Sequence, residues 1–141
     1  MLSGVLVKRQ EPFDTPTQQD WQALKNKFQC NFNPDFVRFM EALPLYDFPK
    51  EVYDVARSGN TSGNGTIASI YDLEMSYSDD LRWNADLIPF CGEGNGDCFC
   101  LSTSRGEDSP VFYVYHENGR AEEEYPTFEA FIKGLPEMLS D

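Results

Sequence analysis

The sequence contains little positive charge and one histidine. Its 141 residues include 11 lysines and arginines against 24 aspartates and glutamates, which gives a formal net charge of −13 at pH 7. Because such an excess repels phosphate groups, the composition argues against nucleic acid and anionic membranes as partners. A protein with a basic surface is the partner that the charge favours. The alternative is that the charge only keeps the chain in solution.

Long apolar runs are also missing. No segment approaches the roughly 20 apolar residues that span a bilayer, and residues 1–10 have neither the order nor the length of a signal peptide. The predicted location is therefore the cytoplasm, where the four cysteines are expected to remain free thiols.

Recognisable catalytic and metal-binding motifs are absent as well. Cys91, Cys98, Cys100 and His116 could in principle bind zinc. However, Cys98 and Cys100 are one residue apart and lack the spacing of common zinc knuckles, so buried apolar thiols are the expected role. The sequence has no nucleophile elbow and no phosphate loop. We therefore predict no catalytic residue, no metal and no cofactor, and an enzyme or small-ligand module is a weaker alternative.

Aromatic residues, in contrast, are abundant, and many follow a helical spacing. There are eleven phenylalanines, seven tyrosines and two tryptophans, enough for an ordered core. Thr15–Thr17, Asn33–Asp35 and Pro126–Thr127 are typical of helix starts, and apolar residues recur after each of them at helical intervals. These apolar residues are Trp21, Leu24 and Phe28; Phe36, Phe39, Met40 and Leu43; and Phe128, Phe131, Ile132 and Leu135.

Strands are predicted between the second and third of these helices. Apolar runs at 87–91, 98–101 and 111–115 are typical of an antiparallel meander, and 120–125 is predicted as an edge strand protected by its glutamates. Residues 66–71 are predicted as a further strand, and the chain from there to Trp83 as a polar, partly helical connection. The order of elements predicts one α+β domain over 1–141, with its core at about 17–135, in which N-terminal and C-terminal helices cover an antiparallel sheet.

The segment Gly92–Asp97 is predicted as a tight hairpin between two of these strands. Its glycines permit a positive φ, and Asp97 can accept hydrogen bonds from backbone N–H groups. Gly96 and Asp97 are therefore expected to have a structural role in the turn.

Acidic residues are concentrated in the middle of the chain. Between Gly59 and Ser104 the sole basic residue is Arg82. Tyr77 and Trp83 are interleaved with the acids, and aromatic residues beside charge often anchor protein interfaces. The alternative is a solvated loop whose aromatic side chains turn into the core. The predicted partner-binding residues are Tyr77, Asp79, Asp80, Trp83, Asp86 and Glu93.

Several segments together resemble a known family. In chain order they are an apolar strand with proline, a Gly-Asp turn, two further strands and an aromatic helix. The corresponding segments are Leu87–Phe90, Asn95–Asp97, Cys98–Leu101, Val111–His116 and Phe128–Phe131. The helix start at Asn33–Phe36 fits the same pattern. The chain resembles the SUKH superfamily, which includes Knr/Smi-type regulators and many bacterial immunity proteins.

This resemblance implies a protein-binding domain without catalytic residues. In bacteria such domains commonly neutralise a cognate toxin, and many of these toxins are nucleases with basic substrate clefts that an acidic surface could occupy. The first hypothesis is therefore a cytoplasmic immunity protein that binds a toxin with a basic surface. The alternative is a regulatory adaptor of the Knr/Smi type that recruits a cellular partner.

Overall fold

The chain is organised around an antiparallel sheet, which we describe from a computed structural model covering residues 2–56, 61–76 and 83–140. The two strands of a small N-terminal sheet are β1 (Val7–Lys8) and β2 (Tyr46–Asp47). The main sheet has the order β3-β4-β5-β6-β7, with every neighbouring pair antiparallel. Its strands are β3 (Glu51–Val52), β4 (Leu87–Gly92), β5 (Cys98–Ser102), β6 (Val111–Val114) and β7 (Ala121–Tyr125). The predicted meander and its edge strand are confirmed.

Helices begin where the sequence contains capping residues. The bounds are α1 (Gln18–Phe28), α2 (Pro34–Ala42), α3 (Ile67–Ser76), α4 (Phe128–Lys133) and α5 (Leu135–Met138). Thr17 and Asp20 form a reciprocal capping box at α1. The Asn33 side chain accepts from the backbone N–H of Asp35, and that of Thr127 accepts from Ala130.

The inner face of the sheet contacts the helices through a cluster of aromatic rings. Phe36 of α2 contacts Phe90 of β4 and Phe128 of α4, with ring centroids 5.5 Å and 5.2 Å apart. Phe131 of α4 lies 5.4 Å from Phe90. All four side chains are fully buried, so N-terminal and C-terminal helices pack on one side of the sheet, and the predicted α+β fold is confirmed.

The outer face carries a second, smaller apolar cluster. Because side chains alternate along a strand, Cys98 and Cys100 of β5 point away from the helices, and they are buried together with Leu87 and Val114. Trp83 and Phe112 are partly buried against this cluster.

The strand predicted at 66–71 is wrong, because α3 occupies Ile67–Ser76. Thr66 and Ser69 exchange hydrogen bonds, with the Ser69 N–H donating to Thr66 Oγ1 and the Thr66 N–H donating to Ser69 Oγ, both at 3.0 Å. This pair forms a capping box at the start of the helix. Local capping and packing thus outweigh the strand preference of the two isoleucines.

Candidate partner-binding site

The predicted partner-binding residues are only partly covered by the structure. Tyr77, Asp79 and Asp80 lie outside the described residues. Trp83, Asp86 and Glu93 are described, and each has a different environment.

Asp86 lies just before β4 and is held by donors from the last residue of β5 and the two residues that follow it. Its carboxylate accepts hydrogen bonds from the hydroxyl groups of Ser102 and Thr103 and from the Ser104 N–H, the last two at 2.7 Å and 2.8 Å. Burial opposes ionisation of Asp86, but these hydrogen bonds outweigh it and lower the pKa of the carboxyl group. Asp86 is therefore a fixed negative charge that also joins two segments of the fold.

Glu93 lies at the opposite end of β4. Its carboxylate pairs with Lys50 at 2.9 Å, and both side chains are only 19% exposed. With a rise of about 3.3 Å per residue, the length of β4 places Asp86 and Glu93 about 20 Å apart. The structure thus does not bring these two acids together.

Trp83 packs its indole ring on the outer face of the sheet. The indole N–H donates to the Leu87 carbonyl oxygen at 3.2 Å, and the ring contacts the outer apolar cluster while remaining partly exposed. Of the three described residues, Trp83 is the one that presents an aromatic surface beside solvent.

Trp83 forms one wall of a cavity that we call the outer cleft. The cleft has a volume of about 440 Å³ and lies between α3 and the turn that joins β6 to β7. The described residues that line it are Glu74, Trp83, Gly96, Val114, Tyr115, His116 and Gly119.

His116 is fixed at this cleft by Asp97. The Asp97 carboxylate accepts from the His116 backbone N–H at 2.9 Å, lies 2.6 Å from His116 Nδ1, and accepts from the Tyr113 hydroxyl at 2.8 Å. Burial opposes ionisation of Asp97, but the bonds from His116 and Tyr113 outweigh it and lower the pKa of the carboxyl group. The network joins the β4–β5 turn to the β6–β7 turn.

Gly96 permits this close contact between the two turns. Its φ is +98°, and a Cβ atom there would lie 2.9 Å from His116 Cγ. A side chain at this position would therefore meet both a strained backbone and a steric clash, and a structural role for Gly96 and Asp97 in the turn stays a prediction. What the sequence did not reveal is that Asp97 bonds to the next hairpin, because that contact requires the pairing of Cys98 with Val114.

Glu74 is the acidic residue among the described residues that line the outer cleft, and it is partly buried on α3. Burial raises the pKa of its carboxyl group, and a positive charge on His116 would lower it. Sequence reasoning missed this position because α3 was interpreted as a strand followed by a polar connection. On a helix, Ile67, Ile70 and Glu74 share one face, which places a carboxylate where an apolar residue is expected.

Comparison with known proteins identifies the family. The profile of the SMI1 / KNR4 family (SUKH-1) matches residues 15–134. The chain belongs to this family. A search of curated proteins gave no match.

A solved structure supports the same fold. The SUKH-1 chain is similar to a crystal structure of a protein from Pseudomonas syringae pv. tomato, with a TM-score of 0.64 and 16% sequence identity. The similarity covers 94% of this chain and 90% of that chain. SUKH-1 domains commonly bind protein partners, and the family is generally not catalytic.

A second cavity of this SUKH-1 chain bears on the small-ligand alternative. It has a volume of about 350 Å³ and lies between the segment around Arg9 and the strands β2 and β3. Arg9 pairs with Asp47 at 2.8 Å, Lys50 pairs with Glu93, and Asp54 accepts from the Ser62 hydroxyl at 2.8 Å. Because these charged groups are already bonded within the chain, they offer little to orient a polar ligand.

The cysteines of the SUKH-1 sheet lie in apolar surroundings. Burial raises the pKa of the Cys91 and Cys100 thiols, which disfavours the reactive thiolate. Cys98 and Cys100 share the outer face with their Sγ atoms 3.6 Å apart. Across the described ranges, no group of three or more His, Cys, Asp or Glu side chains is arranged to hold a metal ion.

The helices are short. The longest among the described residues, α1, has 11 residues, and none of them has the length and apolar content required to cross a membrane.

Proposed function

We propose that this SUKH-1 chain is an immunity protein that binds and neutralises a cognate toxin with a basic surface. The observation that carries the proposal is the net charge of −13 on a member of a family whose domains commonly bind proteins. Complementary charge raises the rate of encounter and disfavours wrong partners. A toxin that acts on nucleic acid fits best, because its substrate cleft must itself be basic.

The proposed contact surface is the acidic segment from Tyr77 to Trp83. Asp79 and Asp80 supply the charge, and Trp83 supplies an aromatic surface whose indole N–H is already bonded to Leu87. An anchor that is fixed before binding loses little side-chain entropy when the partner arrives.

Asp86 and Glu93 contribute differently from the way the sequence suggests. The Asp86 carboxylate is bonded to three donors and Glu93 is paired with Lys50. We infer that both contribute to the negative potential that steers a basic partner, while direct contact is made by Asp79, Asp80 and Trp83. Asp86 is consequently unsuited to a test of binding, because its replacement would also disturb the fold.

The first experiment identifies the partner and its toxicity. The tagged protein captures partners from a lysate of the source organism at low salt, and each captured protein is then expressed with and without this chain. Growth that is inhibited by the partner alone and restored by co-expression would support neutralisation. A captured partner that is not toxic, and that is recruited without loss of activity, would favour the adaptor function instead.

The second experiment tests the surface. The double variant Asp79→Asn/Asp80→Asn removes two negative charges, and Glu123→Gln/Glu124→Gln removes two from the exposed edge strand β7 as a matched control. At low salt we expect the first variant to lower the association rate constant about tenfold and the control to lower it much less. Equal effects of the two variants would show that only total charge matters and would remove this segment as the contact surface.

A further inference from the structure

We propose that the outer cleft is a receptor for one arginine side chain of the partner protein, with Glu74 as the ionic acceptor and Trp83 as the stacking surface. The proposal rests on the proposed function, because it names a specific subsite for a basic partner. It adds a residue, Glu74, that the sequence did not single out, and it assigns a recognition role to His116.

The shape of the cleft suits a long side chain with a flat, charged end. Its volume of about 440 Å³ falls at the lower end of the range of about 300–1,000 Å³ that ligand sites occupy. Trp83, Tyr115 and Val114 supply apolar and aromatic walls. An arginine stem can pack on such walls while its guanidinium group stacks on an aromatic ring.

Within the described residues, Glu74 lacks the hydrogen-bond partners that Asp86, Asp97 and Glu93 have. Asp86, Asp97 and Glu93 each accept hydrogen bonds from the chain, whereas among the described residues none donates a hydrogen bond to Glu74. Partial burial removes water from this carboxylate and no donor in the described ranges replaces it, in agreement with the raised pKa of its carboxyl group. A cation entering the cleft would offset that cost.

When its imidazole is neutral, His116 supplies a second acceptor. An ionised Asp97 can only accept hydrogen bonds, so the contact of 2.6 Å assigns the proton to His116 Nδ1. In the neutral imidazole, Nε2 then carries a lone pair. Among the described residues, those that line the cleft thus offer a carboxylate and an imidazole nitrogen, and they include no lysine or arginine.

This set of groups favours arginine over lysine. The guanidinium group is planar, has five N–H donors and stacks on aromatic rings, so it can satisfy two separate acceptors while contacting Trp83. The lysine ammonium group is a compact, strongly hydrated charge with a weaker preference for such a surface.

The test follows the two tryptophan indole N–H signals by NMR. Trp21 is buried, and its indole donates to Glu41, so its signal is an internal control for the fold. The probe is N-acetyl-arginine amide, and N-acetyl-citrulline amide is its neutral analogue of nearly the same shape. We expect the arginine probe to shift the Trp83 signal with a dissociation constant of about 1 mM, and the citrulline probe to bind about tenfold more weakly.

A pair of matched variants identifies the acceptor. Glu74→Gln should weaken binding of the arginine probe about tenfold, while Glu123→Gln, which removes the same charge from the edge strand, should leave it unchanged. An unmoved Trp83 signal, equal binding of the citrulline probe, or unchanged binding to Glu74→Gln would overturn the proposal. An unchanged Trp21 signal in Glu74→Gln would show that this variant retains its fold.

The outcomes separate this proposal from the proposed function, since the titration uses no toxin. Toxin binding without a response of Trp83 to the arginine probe would remove the receptor and leave the immunity function. A specific response of Trp83 in a protein that neutralises no toxin would retain the receptor and remove the immunity function.

Discussion

Asp97 shows how one side chain can join two turns of a sheet. It lies 19 positions before His116 in the sequence, yet its carboxylate bonds to both the backbone and the ring of that residue. The turn itself could be predicted from glycines and an aspartate, because turn preferences are local. The hydrogen-bond partner of Asp97 could not be predicted, because its identity depends on which residues of β5 and β6 are paired.

Replacement of Asp97 should make the free energy of unfolding less dependent on pH in the acidic range. We expect Asp97→Asn to lower the free energy of unfolding by about 1–3 kcal/mol near neutral pH, because the charged acceptor of two His116 contacts and of the Tyr113 hydroxyl is lost. The folded-state pKa of Asp97 is lowered, so its ionic contribution is complete above the pKa of the unfolded chain and disappears as the pH falls through the folded value.

Urea unfolding of the wild type and the variant at a series of pH values tests this. The difference between them should be largest near neutral pH and should shrink below about pH 4, the usual range of an aspartate. Asp108→Asn, at an exposed position, is the matched control and should change stability by less than about 0.5 kcal/mol. A difference that grows on acidification would show that the Asp97 charge is not what stabilises the two turns.

The helices with clear caps could be predicted from sequence, whereas α3 could not. Thr17, Asn33 and Thr127 each precede an apolar pattern of helical spacing, so two local signals agree. At α3 the residues Ile67 and Ile70 favour a strand, and the capping pair Thr66 and Ser69 was not recognised. The short strands β2 and β3 were also missed, since two residues paired only through distant segments leave no periodic pattern.

The capping pair gives a prediction for α3. Thr66→Ala removes the hydroxyl that accepts from the Ser69 N–H, and we expect it to lower the free energy of unfolding by about 1 kcal/mol. Thr66→Ser keeps the hydroxyl and should retain most of the stability. Both values come from urea unfolding followed by circular dichroism. Equal losses in the two variants would assign the effect to the lost methyl group and not to the cap.

The outer cleft also shows why the candidate site was only partly predictable. The sequence directed attention to Trp83 through the asymmetry of charge around it. Glu74, His116 and Trp83 come from a helix, a turn and the chain before β4. Their proximity depends on the way α3 packs beside the sheet, and no local pattern encodes that arrangement.

Over the whole molecule, the excess of negative charge opposes the compact state. Repulsion among like charges acts over the entire surface, whereas each exposed ion pair contributes only about 0–1 kcal/mol. Many ion pairs of the described residues have an exposed member, such as Arg38 with Asp35 and Lys133 with Glu129. We therefore infer that repulsion exceeds attraction at neutral pH.

Salt should consequently stabilise the fold at neutral pH. Raising NaCl from about 0.01 M to about 1 M shortens the screening length from about 30 Å to about 3 Å. Salt therefore screens the repulsion between distant charges before it weakens the attraction between paired charges in contact. We expect the midpoint of thermal unfolding at pH 7 to rise with salt, and this rise to vanish near pH 4.3, where the net charge is close to zero. Calorimetry at both pH values measures it, and the acidic series is the control for effects of salt that do not depend on charge. A midpoint that falls with salt at pH 7 would mean that the attraction within ion pairs outweighs the repulsion among like charges.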